Sequence, residues 1–306
     1  MSKKRVNRQQ RKENLIGYAF VSPALICYLL LIAFPFFLTI ILSFTEFNFL
    51  KVKNLAKLGK YIEFIGFENF VEAFKDRRFM ASISNTFVYA IATVPTSIVI
   101  GIVLAYVLNG KIFMRKFLRL TFFIPYISSI VALGAVFKFL FREDGLVNNF
   151  LYGLGWIAEP VKWTVEPSVT KLPISLLVIW TSLGYVLIIY MAALQNVPRT
   201  LYEAATIDGA NGFQQFMRIT LPMVSPTTFY LVIVRLIAVF KIFGSVNVFT
   251  MGSSITSNTS IVQEIYSTAF SSYQHGFASA QSMVLLAIIL FFTAVNFAGQ
   301  KKWVHY

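Results

Sequence analysis

Glu203 and Arg235 are the charged residues with the least ordinary surroundings. Glu203 opens the stretch Glu203–Pro222, EAATIDGANGFQQFMRITLP, a polar connection between two long apolar runs. Arg235 and Lys241 fall inside an apolar run, where a charge is costly and normally faces a bundle interior or a water-filled cavity. Neither finds an acid within those runs, so water or an anion is expected to reach Arg235.

The connection around Glu203 carries more local order than a passive loop needs. Thr200 and Glu203 have the spacing of a capping box. Ala204 and Ala205 are small enough for another surface to approach closely. Asp208-Gly209 and Asn211-Gly212 are stops, because Gly and Asn accept left-handed backbone angles. A second short helix is expected to carry Phe213, Phe216 and Met217 on one face, with Leu221-Pro222 ending it. Such a loop reads as a docking surface.

A second set of residues suits a sugar path, which needs aromatic faces and hydroxyls in an apolar setting. One apolar run offers Tyr126, Ser128 and Ser129, and the next offers Trp180, Thr181, Ser182 and Tyr185. The same Ser and Thr also serve as glue between membrane helices. Arg235 shares a helical face with Val239 and Ile242, at i, i+4 and i+7.

The elements that must position these residues are membrane helices. The chain is 57% hydrophobic and only 13% charged. Six apolar runs, about 15–44, 84–108, 118–140, 172–194, 227–249 and 279–298, each match a roughly 30 Å hydrocarbon core. They do not alternate as barrel strands would, so the fold class is all-α: a polytopic membrane bundle of six helices. Residues 1–14 form a basic N-terminus, 15–298 the transmembrane domain with the loop 195–226, and 299–306 the C-terminus. Between spans, Phe67–Arg78 has the spacing of an amphipathic helix on the outer face. Arg142–Trp156 and Thr250–Ser260 read as outer loops.

With both termini in the cytoplasm, the inner side carries a net charge of +11 and the outer side +1. That split follows the positive-inside rule, although the first outer loop carries seven basic residues. The basic N-terminus therefore reflects topology rather than nucleic-acid binding, and the run after it is too long for a cleaved signal. Cys27 is the single cysteine, and His275 and His305 are the two histidines, too few for a metal cluster. No phosphate-binding loop and no nucleophile elbow occur, so no catalysis and no cofactor of its own are expected.

Glu203-Ala204-Ala205, Gly209 four residues later, and Ile219, Leu221 and Pro222 resemble the EAA loop of permease subunits from binding-protein-dependent ABC importers. Ile207-Asp208-Gly209-Ala210 with Ile219-Thr220-Leu221-Pro222 is similar to the carbohydrate branch, the maltose- and glycerol-phosphate-type permeases. Pro125-Tyr126, Ala193-Leu194-Gln195 and Phe240-Lys241-Ile242-Phe243 extend the likeness over the chain from about residue 85. The resemblance implies a coupling helix seated on an ATPase subunit, with Glu203 as its ionic contact and Gly209 as its turn. It places Tyr126, Thr181, Ser182 and Tyr185 on or near sugar-contacting positions. Arg235 is a departure, since maltose-type permeases use uncharged polar groups on that face. An acidic sugar is the substrate this departure suggests.

The implied assembly lies in a bacterial or archaeal cytoplasmic membrane. It contains a second permease, two ATPase subunits holding ATP and Mg, and an extracytoplasmic solute-binding protein. An ion-gradient transporter is the alternative, but such proteins often need intramembrane acids, which these runs lack. A membrane receptor or assembly subunit without transport is a third class.

Overall fold

A computed structural model describes residues 8–51, 61–110, 112–250 and 257–303. The basic residues before Arg8, Lys111 and most of the expected outer loop Thr250–Ser260 lie outside these. In chain order come helix α1 (Arg8–Tyr28), a π-helical turn (Leu29–Ala33), α2 (Phe34–Ser43), strands β1 (Thr45–Phe47) and β2 (Ile62–Phe64), α3 (Glu68–Lys75), α4 (Arg77–Asn109), α5 (Arg115–Ile127) and α6 (Ile130–Leu140). Then follow α7 (Leu146–Gly153), α8 (Lys171–Gln195), α9 (Arg199–Ile207), α10 (Gly212–Gln215), a π-helical turn (Phe216–Thr220), α11 (Leu221–Met223), α12 (Ser225–Phe240), α13 (Gly244–Thr250), α14 (Ile261–Phe270) and α15 (His275–Trp303).

The chain divides into two compact units, one within residues 1–72 and 268–283, the other within 73–267 and 284–306. In the first, β1 and β2 pair antiparallel with Glu46 opposite Glu63, a hairpin that the apolar patterning does not announce. Lys51 offsets the facing acids with an ion pair to Glu46 at 2.8 Å. Asn69 is buried and donates to the Ser43 and Thr45 carbonyls at 3.0 and 2.9 Å, tying α3 to the strand. Phe67, Val71 and Phe74 remain exposed, as an interfacial helix requires.

Five helical stretches are long and apolar enough to cross a membrane, and a bent pair makes up to six. The bent pair occupies the apolar run 118–140, which is two helices rather than one. α5 and α6 meet at 101°, with Ser128 and Ser129 extended between them. Apolar composition runs through this corner, so hydropathy does not reveal it. Irregular backbone at membrane depth is tolerated where it lies in protein or lines a cavity.

The second unit is built on α4 and α8. Asp76 caps α4 by accepting from the Phe79 N–H at 2.8 Å. The buried face of α4 includes Ser82, Thr86, Thr93 and Ser97. Thr86 and Thr93 donate to carbonyls one turn back, Ser82 and Tyr89, at 2.8 and 2.7 Å. Polar atoms are thereby satisfied within the helix, and the small side chains let helices close up. Gly101 is in such a place, because a Cβ there would run into the Val186 side chain of α8.

Candidate functional site

An open cavity of about 240 Å³ lies at the α5–α6 corner. Pro125, Tyr126 and Ser128 approach it from the corner and Thr181 and Ser182 from α8. Arg235, Val239 and Ile242 complete it from α12 and its end, so the face read from their spacing is the face that lines the cavity. Thr181 donates to the Leu177 carbonyl at 2.8 Å and Ser182 to that of Ile179 at 2.8 Å. A bonded hydroxyl oxygen keeps acceptor capacity for a ligand hydroxyl. Ser129 is not among the lining residues. It precedes α6 as the residue that starts the helix, and Ser128 takes the place in the cavity.

Arg235 is the electrostatic centre. Its Nε is buried and has no hydrogen-bond partner. The two ion pairs among the described residues, Lys51–Glu46 and Arg142–Asp144, do not involve it. Tyr126 lines the same cavity as Arg235, and Tyr185 stands beside Tyr126 without lining it. Their rings lie 5.6 Å apart at 30°. The Tyr185 hydroxyl is 3.0 Å from that of Tyr230, a residue of α12 that no local sequence pattern ties to Tyr185. Trp180 stacks on Phe137 at 5.5 Å instead.

One glycine lets the tyrosines meet. A Cβ on Gly184 would stand 2.8 Å from the Phe122 carbonyl oxygen and 2.9 Å from the Tyr126 Cβ. α5 therefore touches the α8 backbone, and Tyr185 emerges beside Tyr126. No composition signal separates this glycine from the other glycines of the chain.

The Glu203 loop is ordered, by different devices from those expected. Pro198 occupies the cap position of α9, so the helix begins at Arg199 and Thr200 falls inside its first turn. Thr200 makes no cap, and the Thr200–Glu203 box does not form. A capping box forms at α10, where Gln214 N–H donates to Asn211 Oδ1 and Asn211 N–H to Gln214 Oε1, both at 2.9 Å. Gly209 has φ +77° and ends α9, with Ala210 N–H donating to the Ala205 carbonyl and Gly209 N–H to that of Thr206. That is a Schellman motif, which favours glycine at the left-handed position. Leu221-Pro222 does not stop the chain, which continues as α11 and breaks at Val224.

Two clasps hold the loop. Tyr202 and Thr220 join hydroxyls at 2.9 Å, and Tyr106 of α4 donates to the Gly212 carbonyl at 3.1 Å. Phe216 packs on Tyr106 with ring centres 4.9 Å apart. Phe213 and Met217 stay exposed, while Phe216 is the one of the three that packs on Tyr106. Phe216 and Met217 open the π-helical turn that follows α10. Glu203 and Ala204 are exposed and Ala205 is half-buried. Glu203 makes no ion pair among the described residues. Near it in the loop, Ile207 is 87% and Phe213 69% exposed, more than isolated surface residues require.

A polytopic bundle with a largely apolar cavity that holds a few hydroxyls and one guanidinium at a broken helix is the build of a membrane transport protein. The chain belongs to the binding-protein-dependent transport system inner membrane component family, whose model matches residues 73–301. It is a multi-pass permease subunit, a transport component rather than an enzyme. It is 30% identical to the lactose transport system permease protein LacF of Rhizobium radiobacter, over 96% of this chain and 97% of that protein. It is 32% identical to the sulfoquinovosyl glycerol transport system permease protein SmoG of Agrobacterium fabrum, over 92% and 89%. The fold matches a chain of a bacterial alginate ABC transporter solved with an alginate pentasaccharide-bound periplasmic protein, at a TM-score of 0.81 and 24% identity, covering 96% of each chain.

Proposed function

We propose that this permease imports an oligosaccharide carrying an acidic group, taking it from a solute-binding protein. The observation that carries the reading is Arg235, whose buried Nε is unpaired on the wall of a cavity that also offers Tyr126, Thr181 and Ser182. A guanidinium binds a carboxylate through two parallel hydrogen bonds, and the tyrosine rings supply the apolar face that a sugar stacks on. The named relatives serve more than one sugar, and the fold neighbour speaks only to architecture. The acidic preference therefore rests on Arg235.

The Glu203 loop is the docking surface for an ATPase subunit. An exposed carboxylate, small Ala204 and Ala205, and exposed Ile207 and Phe213 together support it. Gly209, Leu221 and Pro222 shape the surface rather than touch the partner. The assembly has a second permease and two ATPase subunits that hold ATP and Mg. The loop and both termini face the cytoplasm. An ion-coupled transporter has no use for such a loop.

Competition for uptake by the assembled transporter tests the substrate class. Uronate-containing oligosaccharides are expected to compete with the imported solute, and neutral ones of equal length to compete at least tenfold less well. Equal competition would refute the acidic reading.

A further inference from the structure

A groove of about 360 Å³ runs between α5 and α8. Leu120, Phe123, Ile188 and Met191 form its walls. Arg119, one turn into α5, and Gln195, the last residue of α8, stand at its mouth. At depth it is closed, because the α5 backbone at Phe122 and Phe123 lies against Gly184 of α8. The groove is thus a blind apolar slot, open where the helices end, and it shares no lining residue with the Arg235 cavity.

The mouth is cationic and has no counter-ion in the chain. Arg115 and Arg119 stand one turn apart on the same face of α5, where like charges repel. Both reach the end of α4: Arg115 Nη2 donates to Asn109 Oδ1 and Arg119 Nη2 to the Leu108 carbonyl, each at 3.3 Å. These are long bonds to neutral acceptors, and the Nε of each arginine is buried without a partner. The sequence holds no acid from Arg77 to Arg142 or from Pro167 to Tyr202, so α4, α5 and α8 supply none. The two ion pairs among the described residues involve neither arginine.

We infer that this groove binds an anionic phospholipid, with the phosphate on Arg119 and Arg115 and one acyl chain along Leu120, Phe123, Ile188 and Met191. The inference is independent of the acidic-substrate reading. α4 and α8 end and α5 begins at the mouth, which puts the two arginines at head-group depth. Basic pockets between membrane helices take anionic head groups there. A phosphate between the guanidinia satisfies the free Nε–H groups and relieves their repulsion. The rest of the slot is hydrocarbon, which matches an acyl chain and gives a polar solute nothing to bind. A helix of another subunit would match the walls but would have to bring its own acid to the mouth.

The test follows the melting temperature of the assembled transporter in detergent as phosphatidylglycerol, phosphatidylcholine or deacylated glycerophosphoglycerol is titrated in. Wild type is compared with Arg119→Gln, Arg119→Lys and Ala192→Phe. Ala192 lines the groove and is exposed, so the phenyl ring fills the slot without entering the core. Phosphatidylglycerol is expected to stabilise wild type at lower concentration than phosphatidylcholine does. The concentration for half the effect should rise about tenfold in Arg119→Gln, the scale of one charge-assisted hydrogen bond, and less in Arg119→Lys. Ala192→Phe should raise it as well, with both arginines still in place. Equal stabilisation by the two lipids would overturn the inference, as would a wild-type response in Arg119→Gln. A wild-type response in Ala192→Phe would reduce the site to surface charge without a chain-binding slot. Stabilisation by glycerophosphoglycerol alone would make the ligand a free anion, and loss of a partner subunit from the Ala192→Phe complex would show that protein covers the groove; either result contradicts a lipid site.

Discussion

The Tyr202 hydroxyl lies 2.9 Å from the Thr220 hydroxyl, so the helix that carries Glu203 is fastened to the turn that feeds α12. α12 carries Arg235. The proposed docking surface and the cavity are therefore linked through the chain from Thr220 into α12 rather than through a slack loop. Loosening this clasp is expected to cost about 0.5–1.5 kcal/mol, the net value of one hydrogen bond. Tyr202→Phe should lower the amount of solute moved per ATP hydrolysed, with the transporter still assembled. A wild-type ratio of transport to hydrolysis would show that the clasp does not transmit force.

Glu203→Ala should weaken ATPase docking and reduce solute uptake while the protein remains in the membrane. Because Glu203 closes no capping box, the change leaves the stability of α9 nearly untouched, and the defect should appear in copurification of the ATPase. Normal copurification and uptake would remove Glu203 from the interface.

Gly209 has open space where a Cβ would go, so its substitution is resisted by backbone geometry alone. Gly209→Ala should cost roughly 1 kcal/mol or somewhat more, and Gly209→Asn less, because Asn tolerates the left-handed region. Gly209→Asp adds a charge to the docking surface and should uncouple transport. Uptake in the order Gly, Asn, Ala, Asp checks this; an Ala variant that outperforms Asn would contradict the backbone argument.

Gly184→Val forces α5 away from the α8 backbone, since the atoms it meets belong to main chain and to a Cβ. Overpacking of this kind costs about 1–3 kcal/mol. A lower melting temperature and loss of uptake are expected, and an unchanged melting temperature would mean that the two helices are not in contact.

Burial raises the pKa of the Glu264 carboxyl, with repulsion from Asp76 adding to it and Arg78 opposing. The folded value lies above the unfolded one. The associated stability is fully present below the unfolded pKa and is lost as pH rises through the folded pKa. Glu264→Gln should thus melt higher than wild type at neutral pH, with the gap closing as the pH falls into the carboxylate range. A gap that does not change with pH would exclude the titration.

Much of this was legible in the chain. The spans follow from apolar length, and the face shared by Arg235, Val239 and Ile242 follows from helical spacing. Gly209 was readable because a left-handed stop leaves a residue type behind. The corner at Ser128 and Ser129 was not, because both halves are equally apolar. Thr200 misled because Pro198, two residues earlier, takes the cap position and shifts the helix start. Tyr230 and Gly184 matter only through partners on other helices, which no local pattern records.

The central claim is that Arg235 reads a negative charge on the solute. Its most direct test is the uptake of a uronate oligosaccharide against its neutral counterpart in Arg235→Leu and Arg235→Lys. Loss of one charged, bidentate contact should lower the acidic-to-neutral uptake ratio at least tenfold in Arg235→Leu, and less in Arg235→Lys, which keeps the charge but not the fork. Equal losses for both sugars in Arg235→Leu would make Arg235 a structural charge and contradict the account.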